Sequence, residues 1–180
     1  MHSAQAASPS NKFAKAMKEF SSKRTKTDED RAAMARIDWE AALYYDEEIG
    51  PYIPGENIFA CLLGGARITK NGKKIERGLS IETFQAPLFY AGPRDKEALW
   101  GDGESPFVDY RTVRIGQQRV ERCRPWFPEW EFTADFVLDY SIMELEEFER
   151  IAADAGRFEG LGDFRRMYGR FDAKVELLGE

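Results

Sequence analysis

Histidine and cysteine are almost missing from this chain. Its 180 residues include one histidine, His2, and two cysteines, Cys61 and Cys123. Together they are too few for a Cys/His zinc finger or knuckle, which takes four ligands. Two cysteines cannot make a disulfide scaffold. A lone histidine at the amino terminus leaves no base for a Ser-His or Cys-His pair. No apolar run approaches the roughly 20 residues of a membrane span, so no membrane partner is expected. No charged stretch followed by an apolar one opens the chain, so the expected compartment is the cytoplasm. No phosphate loop of the G-x-x-x-x-G-K type is present. No cofactor, no metal and no catalytic residue are expected. The length fits a single domain over residues 1–180, with a helical amino-terminal segment at about 8–45.

What the chain has is charge, unevenly placed. The formal net charge is -6, from 26 Lys and Arg against 32 Asp and Glu. Three segments run the other way. Lys12, Lys15, Lys18, Lys23, Arg24 and Lys26 stand against Glu19 alone. Arg67, Lys70, Lys73, Lys74 and Arg77 stand against Glu76. Arg111, Arg114, Arg119, Arg122 and Arg124 stand against Glu121. An acidic protein with local basic segments can present a positive face to a polyanion. Taken singly, each run also reads as a solvated helix face or loop.

Hydrophobic spacing gives a sequence of elements. Ser8 and Pro9 suit a helix start, and Phe13, Ala16, Met17 and Phe20 recur on one helical face. Thr27 followed by Asp28, Glu29 and Asp30 suits a second start, with acids at the positive end of the dipole. Ala33, Ile37, Ala41 and Tyr44 line that helix. Gly50–Gly55, which contains Pro51 and Pro54, reads as a turn. Asn57 opens a third helix with Ile58, Cys61, Leu62 and Ala66 buried. Gly64 and Gly65 cost it about 1 kcal/mol each relative to alanine, which suggests close packing against a sheet. Asn71-Gly72 reads as its stop.

Leu79–Phe84, Leu88–Tyr90 and Phe107–Ile115 read as strands, with a loop over 92–106 that turns tightly at Trp100–Gly103. Trp130, Phe132, Ala134, Phe136 and Leu138 alternate with Glu131, Thr133, Asp135 and Val137, the clearest strand pattern in the chain. Ser141 and Glu144 have capping-box spacing ahead of a helix with Leu145, Phe148, Ile151, Ala152 and Ala155 on its stripe and Gly156 as its stop. Phe171, Ala173, Val175 and Leu177 alternate as a last strand. Strands joined through helices and hairpins favour an α+β fold, an antiparallel sheet with helices packed mainly on one face.

Two features lean toward nucleic acid. From Arg111 to Trp130, arginines are interleaved with Trp126, Phe127 and Trp130, and Tyr110 precedes them. Guanidinium groups meet phosphates, and exposed rings stack on unpaired bases. From Gly160 to Phe171, Gly160, Gly162 and Gly169 are mixed with Arg165, Arg166, Arg170 and Tyr168. Such a loop can bring backbone amides and guanidinium groups close to a polymer, or can simply let helix, loop and strand pack. Asp172 and Lys174, with Asp163 upstream, have the spacing of a nuclease metal site, but alternating charges on a strand are ordinary. Cys61 lies on an apolar stripe. Cys123 lies among arginines that would lower its thiol pKa.

These residues also carry a resemblance. Lys23–Asp30, Pro51–Pro54, Asn57, Gly65–Arg67, Leu99–Gly103, Arg124-Pro125 and Gly160–Phe171 resemble a set of small uncharacterised phage and prophage proteins, over nearly the whole chain. Their genes tend to lie among phage early genes, which implies DNA metabolism or host takeover. Ile53–Asn57 and the glycine-arginine loop are also similar to the RAMP superfamily of RNA-binding CRISPR subunits. That likeness implies a ferredoxin-like, RRM-type sheet. Members of the phage set carry an upstream apolar strand leading into Leu-Met-His-Ser, where this chain has Met1-His2-Ser3. Either Met1 is an internal methionine or the strand is lost. The second case implies an open sheet edge and self-association.

The expected function is therefore that of a phage-encoded, non-enzymatic protein that binds single-stranded DNA or RNA. Arg67, Lys70, Lys73, Lys74, Arg111, Arg114, Arg119, Arg122, Arg124, Arg165 and Arg170 would neutralise phosphates, and Tyr168 would stack on a base. The alternative is a protein-interaction module, an inhibitor of a host machine or an assembly factor. It would use the acidic helix from Ile142 to Ala155 with Glu144, Glu146, Glu147, Glu149 and Asp154. A homo-oligomer is a further expectation.

Overall fold

The computed structural model describes residues 8–165 and 167–178. The expectation built on Met1-His2-Ser3 falls outside them, as does Arg166. Among the described residues there are six α-helices and seven strands, and the strands pair in small antiparallel sheets. The fold is α+β. These pairings do not establish a ferredoxin-like arrangement. No described helix is long and apolar enough to cross a membrane. The residues gather into two compact units, which the chain enters and leaves at Tyr52–Ile53, Pro87–Leu88 and Glu131–Phe132.

The first unit begins with α1 (Lys12–Ser21), capped by Asn11, whose side chain accepts the Phe13 N–H at 2.9 Å. The cap is Asn11 and not Ser8, because an Asn side chain one residue before the helix reaches its free amides. Helix α2 (Asp28–Ala42) starts at Thr27 as its sequence indicates. Thr27 Oγ1 accepts the Asp30 N–H at 3.2 Å, and Asp30 accepts the Thr27 N–H at 3.1 Å. Lys23 Nζ adds a 2.5 Å ion pair to Asp30, whose carboxyl is held below the usual range by that lysine. Trp39 on α2 is fully buried. Its ring meets Trp100 edge-on at 5.4 Å, and its Nε1 donates to the Phe107 carbonyl at 3.1 Å. Leu99, Phe107 and Cys123 complete this core.

Gly50–Gly55 is not a turn. Strand β2 (Gly50–Pro54) pairs antiparallel with β1 (Tyr45–Asp46), Tyr45 opposite Pro51. Proline fits because its missing N–H is not called on here, while the Pro51 carbonyl accepts the Leu88 N–H at 2.9 Å. The loop over 92–106 holds a short helix, α5 (Lys96–Trp100), and then turns at Gly101, Asp102 and Gly103, all with positive φ. A long hairpin follows. Strands β5 (Val108–Ile115) and β6 (Gln118–Pro125) pair along their full length, and β6 packs on α2. Sequence spacing showed the first of these strands and not the second.

In the second unit, α3 (Gly55–Ile68) buries Ile58, Cys61, Leu62 and Ala66, as its stripe requires. It ends at Thr69. The left-handed residue is Lys70 (φ 63), so Asn71-Gly72 does not stop the chain but opens α4 (Gly72–Gly78). Strands β3 (Leu79–Ile81) and β7 (Phe136–Leu138) pair antiparallel, and β4 (Gln85–Pro87) lies between them in sequence. The alternation of exposure from Glu131 to Asp139 is as the sequence implies, yet only three residues of it form a ladder. Alternation reports extended backbone with one wet side. It does not report a hydrogen-bonded neighbour.

Helix α6 (Leu145–Asp154) buries Phe148, Ile151 and Ala152, and starts at Glu144 without a side-chain cap. Ser141 instead bonds Asp139, so the expected capping box does not form. The helix does not stop at Gly156. It continues as a π turn, Ala155–Glu159, and ends at Gly160. No strand follows: Phe171, Ala173, Val175 and Leu177 make no ladder among the described residues.

Gly64 and Gly65 do serve close packing, but against this π turn and not a sheet. A Cβ on Gly65 would lie 2.7 Å from the Ala155 nitrogen, and one on Gly64 would lie 2.8 Å from the Glu159 side chain. Backbone cannot move aside as a side-chain tip can. Gly65→Ala would gain about 1 kcal/mol of helix propensity and lose about 1–3 kcal/mol to overpacking. The expected result is a net loss of stability in urea denaturation, larger than for Gly64→Ala, where the Glu159 side chain can yield.

Candidate nucleic-acid interface

The hairpin divides its arginines by register. Directly opposed residues share a face, and successive residues face opposite ways. Arg111 opposes Arg122, and Asp109 opposes Arg124. This face is half-buried. Here Asp38, on α2, gathers three donors: the Arg122 guanidinium at 3.4 Å, the Cys123 backbone N–H at 3.0 Å and the Arg124 guanidinium at 2.9 Å. The Asp38 and Arg124 side chains are each only 14% exposed. Arg111 pairs with Asp109 and lies 5.3 Å over the Trp126 ring.

Arg114 opposes Arg119 on the other face, at the hairpin tip. Both are exposed. Arg114 bonds the turn through the Gly116 carbonyl at 3.0 Å and remains in water. Of the five hairpin arginines, then, Arg114 and Arg119 face solvent, while Arg111, Arg122 and Arg124 are committed to holding the hairpin together. Like charges directly opposed repel. Asp38 offsets this for Arg122, and solvent screens the tip pair.

In the second unit, the loop after α6 is closed by backbone contacts that only glycine allows. A Cβ on Gly169 would lie 1.6 Å from the Leu161 oxygen, and one on Gly160 would lie 2.5 Å from the Arg165 oxygen. The Leu161 N–H donates to the Gly169 carbonyl at 2.8 Å. The loop is thus pinched at its base. At its tip, Phe164, Met167 and Tyr168 are 55%, 72% and 43% exposed, and Arg165 and Arg170 are exposed beside them. Phe164 has φ 50, a left-handed conformation that costs a bulky side chain about 1–2 kcal/mol. Its carbonyl accepts the Met167 and Tyr168 N–H groups at 2.8 and 3.1 Å, which hold it there. Arg165 approaches Glu159 at 4.0 Å. Sequence reasoning did not single out Phe164 or Met167, because nothing in local spacing tells an exposed ring from a core ring.

The third basic segment is mixed. Lys74 is engaged with Glu147 at 2.7 Å, and Arg67 approaches Glu76 at 3.9 Å. Lys70 and Lys73 are exposed. Lys174 pairs with Glu176, and among the described residues no group of three or more His, Cys, Asp or Glu could hold a metal ion.

The cysteines are core residues. Burial pushes the Cys61 thiol up to about 11. Cys123 runs against its sequence context: burial, the leading cause, pushes it up to about 12, with the Asp38 carboxylate adding to the shift and Arg124 opposing it. The arginines expected to lower it spend their charge on Asp38 and on water.

Comparison of the chain with family models, curated proteins and solved structures finds no match.

Two outcomes follow from this geometry. Asp38→Ala leaves two half-buried guanidinium groups and an edge amide without their acceptor, so it should cost about 3 kcal/mol. Arg114→Ala should stay within about 0.5 kcal/mol of the parent. Urea denaturation followed by tryptophan fluorescence compares them. In the second experiment, iodoacetamide at pH 8 should label neither cysteine in the folded protein and both in denaturant. Rapid native labelling of Cys123 would show that its thiol is not held up by burial.

Proposed function

We propose that this chain is a phage-encoded, non-enzymatic protein that binds single-stranded nucleic acid. The observation that carries the reading is the tip of the 160–170 loop, where Phe164 and Tyr168 stand in water beside Arg165 and Arg170 on a backbone pinched by Gly160 and Gly169. Exposed rings on a stiff base serve as a stacking platform worth about 1–3 kcal/mol per base, and every base has a face to offer. Arg165 and Arg170 supply phosphate contacts in this unit, with Lys70 and Lys73 as further cations. Arg114 and Arg119 supply them in the other. Arg111, Arg122, Arg124 and Lys74 have a positioning role in this reading, since each is half-buried against an acidic partner, whereas Arg67, exposed with Glu76 only at 3.9 Å, stays with Lys70 and Lys73 as a phosphate contact. A ferredoxin-like arrangement and kinship with the RAMP superfamily belong to the same proposal. The antiparallel β3–β7 pair is in keeping with the sheet of that proposal alone.

A protein partner is the second reading. Glu144, Glu146 and Glu149 face solvent on α6, whereas Glu147 is used on Lys74. A pull-down that recovers a basic protein through wild type and not through a Glu146→Lys/Glu149→Lys variant would favour it.

Filter binding to an unstructured dT or U oligonucleotide decides the first reading. For single strands, log affinity falls by about 0.7 per phosphate contact per tenfold rise in salt. Two arginine contacts, Arg165 and Arg170, thus predict roughly a sevenfold loss between about 50 and 200 mM salt. Arg165→Glu/Arg170→Glu should flatten that slope. Phe164→Gly relieves the left-handed phenylalanine, so stability should stay within about 1 kcal/mol of the parent while affinity drops about tenfold. Binding that ignores both salt and these substitutions would refute the reading.

A further inference from the structure

The alternating segment 171–178 lies on the second unit as a strand without a neighbour. Its upstream end is fixed. The Phe171 N–H donates to the Gly156 carbonyl at 3.2 Å, and the Phe171 ring meets that of Phe132 at 5.9 Å. Ala173 and Val175 follow as half-buried residues, with Asp172, Lys174 and Glu176 exposed between them. From Asp172 to Leu178, no backbone hydrogen bond forms among the described residues. Lys174 and Glu176 pair with each other on the wet side. Leu177 and Leu178 are 67% and 76% exposed. A strand edge with uncommitted amides and carbonyls beside exposed leucines is a template for strand addition.

The residues of the segment select the partner. In a strand, the N–H and C=O of one residue point to the same side, and those of the next residue point to the other. Phe171 turns its side to Gly156, so Asp172, Lys174, Glu176 and Leu178 present theirs outward. A second copy of the segment, antiparallel and centred on Val175, meets this edge with matched chemistry. Lys174 then opposes Glu176 of the second copy, and Glu176 opposes its Lys174, so the ion pair within one chain is exchanged for two across the ribbon. On the drier side Val175 opposes Val175, and Ala173 opposes Leu177. Moving the centre to Lys174 or Glu176 sets a charge against its like. Moving it to Ala173 sets Leu177 against Gly169, which the pinch with Leu161 already occupies. We propose that two copies of this chain associate through this segment, as an antiparallel two-stranded ribbon with its two-fold axis at Val175. The proposal is independent of the nucleic-acid reading. One short ladder falls below the roughly 1,200 Å² of stable interfaces, so the dimer is weak, with a Kd on the order of 10–100 µM.

Sedimentation equilibrium on the full chain from about 10 µM to about 1 mM tests it. The wild type should dimerise in that range. Lys174→Glu sets Glu against Glu176, and Glu176→Lys sets Lys against Lys174, so each alone should weaken dimerisation about tenfold or more. An equimolar mixture of the two variants should dimerise like wild type, because each supplies the charge that the other lacks. Both positions are exposed, so both variants should fold. Cross-linking reads the register. Directly opposed residues outside the hydrogen-bonded pairs lie about 4.5 Å apart at Cα, within reach of a disulfide. Under mild oxidation, Val175→Cys should therefore give a disulfide-linked dimer. Lys174→Cys, though more exposed, should give several-fold less. Cys61 and Cys123 are buried and should stay out of the reaction. A monomer at about 1 mM, single variants that dimerise like wild type, a mixture that stays monomeric, or cross-linking as strong from Lys174→Cys as from Val175→Cys would each overturn the proposal. A segment reserved for the strand edge of a different protein would give the first of these results.

Discussion

The carboxylate of Asp38 is the contact on which the first unit depends. One side chain on α2 accepts from two guanidinium groups and from an edge amide of β6. By doing so it ties the hairpin to the helix that carries Trp39, whose indole N–H reaches the Phe107 carbonyl just before β5. It also neutralises charge that the register would otherwise stack, since Arg122 opposes Arg111 across the ladder. A carboxylate with several charge-assisted donors in a half-buried setting is worth more than a surface ion pair, because water competes less for each partner. The same contact occupies Arg122 and Arg124, as Asp109 occupies Arg111, whereas Arg114 and Arg119, one face over, stay in water.

The second unit solves a different problem with glycine. Helix α3 approaches the π turn so closely that Gly65 has room for no side chain, and the loop beyond crosses itself at Gly160 and Gly169 with backbone against backbone. Such contacts exclude every Cβ and leave few ways for the loop base to move. Its tip can then hold Phe164 in a left-handed conformation without relaxing. Strain of this kind persists only where the surroundings over-determine it, and it gathers where a surface has work to do. The tip is also where this unit exposes neighbouring apolar side chains, Phe164, Met167 and Tyr168, beside arginine.

The thiols show how packing overrides neighbourhood in sequence. Cys123 stands between Arg122 and Arg124, a context that by itself would favour the thiolate. In the fold its side chain points into the Trp39 core while its neighbours turn to the opposite face of the strand. Period-two alternation makes immediate neighbours in a strand the residues least able to influence one another's side chains. Burial therefore sets the chemistry of this cysteine.

Local chemistry was enough to determine the α+β class and the longer helices α1, α2, α3 and α6, but not the short α4 and α5, which stand where a stop and a loop were expected. The Thr27 cap, the Ile58–Cys61–Leu62–Ala66 stripe, the Phe148–Ile151–Ala152 stripe and the turn at Trp100–Gly103 all act over a few residues, and each is present where spacing and propensity put it. Strand pairing was less legible. The alternation at Glu131–Asp139 and at Phe171–Glu176 marks a wet side and a drier side, but a ladder needs a partner, and the partner is supplied by distant chain. Proline at 51 and 54 looked like a turn because composition cannot see that the amide it lacks was never needed. Which arginines are structural and which aromatic rings face water were decided by tertiary structure alone. Those properties depend on which face of each element the packed chain covers, and that is settled only when residues far apart in sequence, such as Asp38 and Arg124, come within a hydrogen bond of each other.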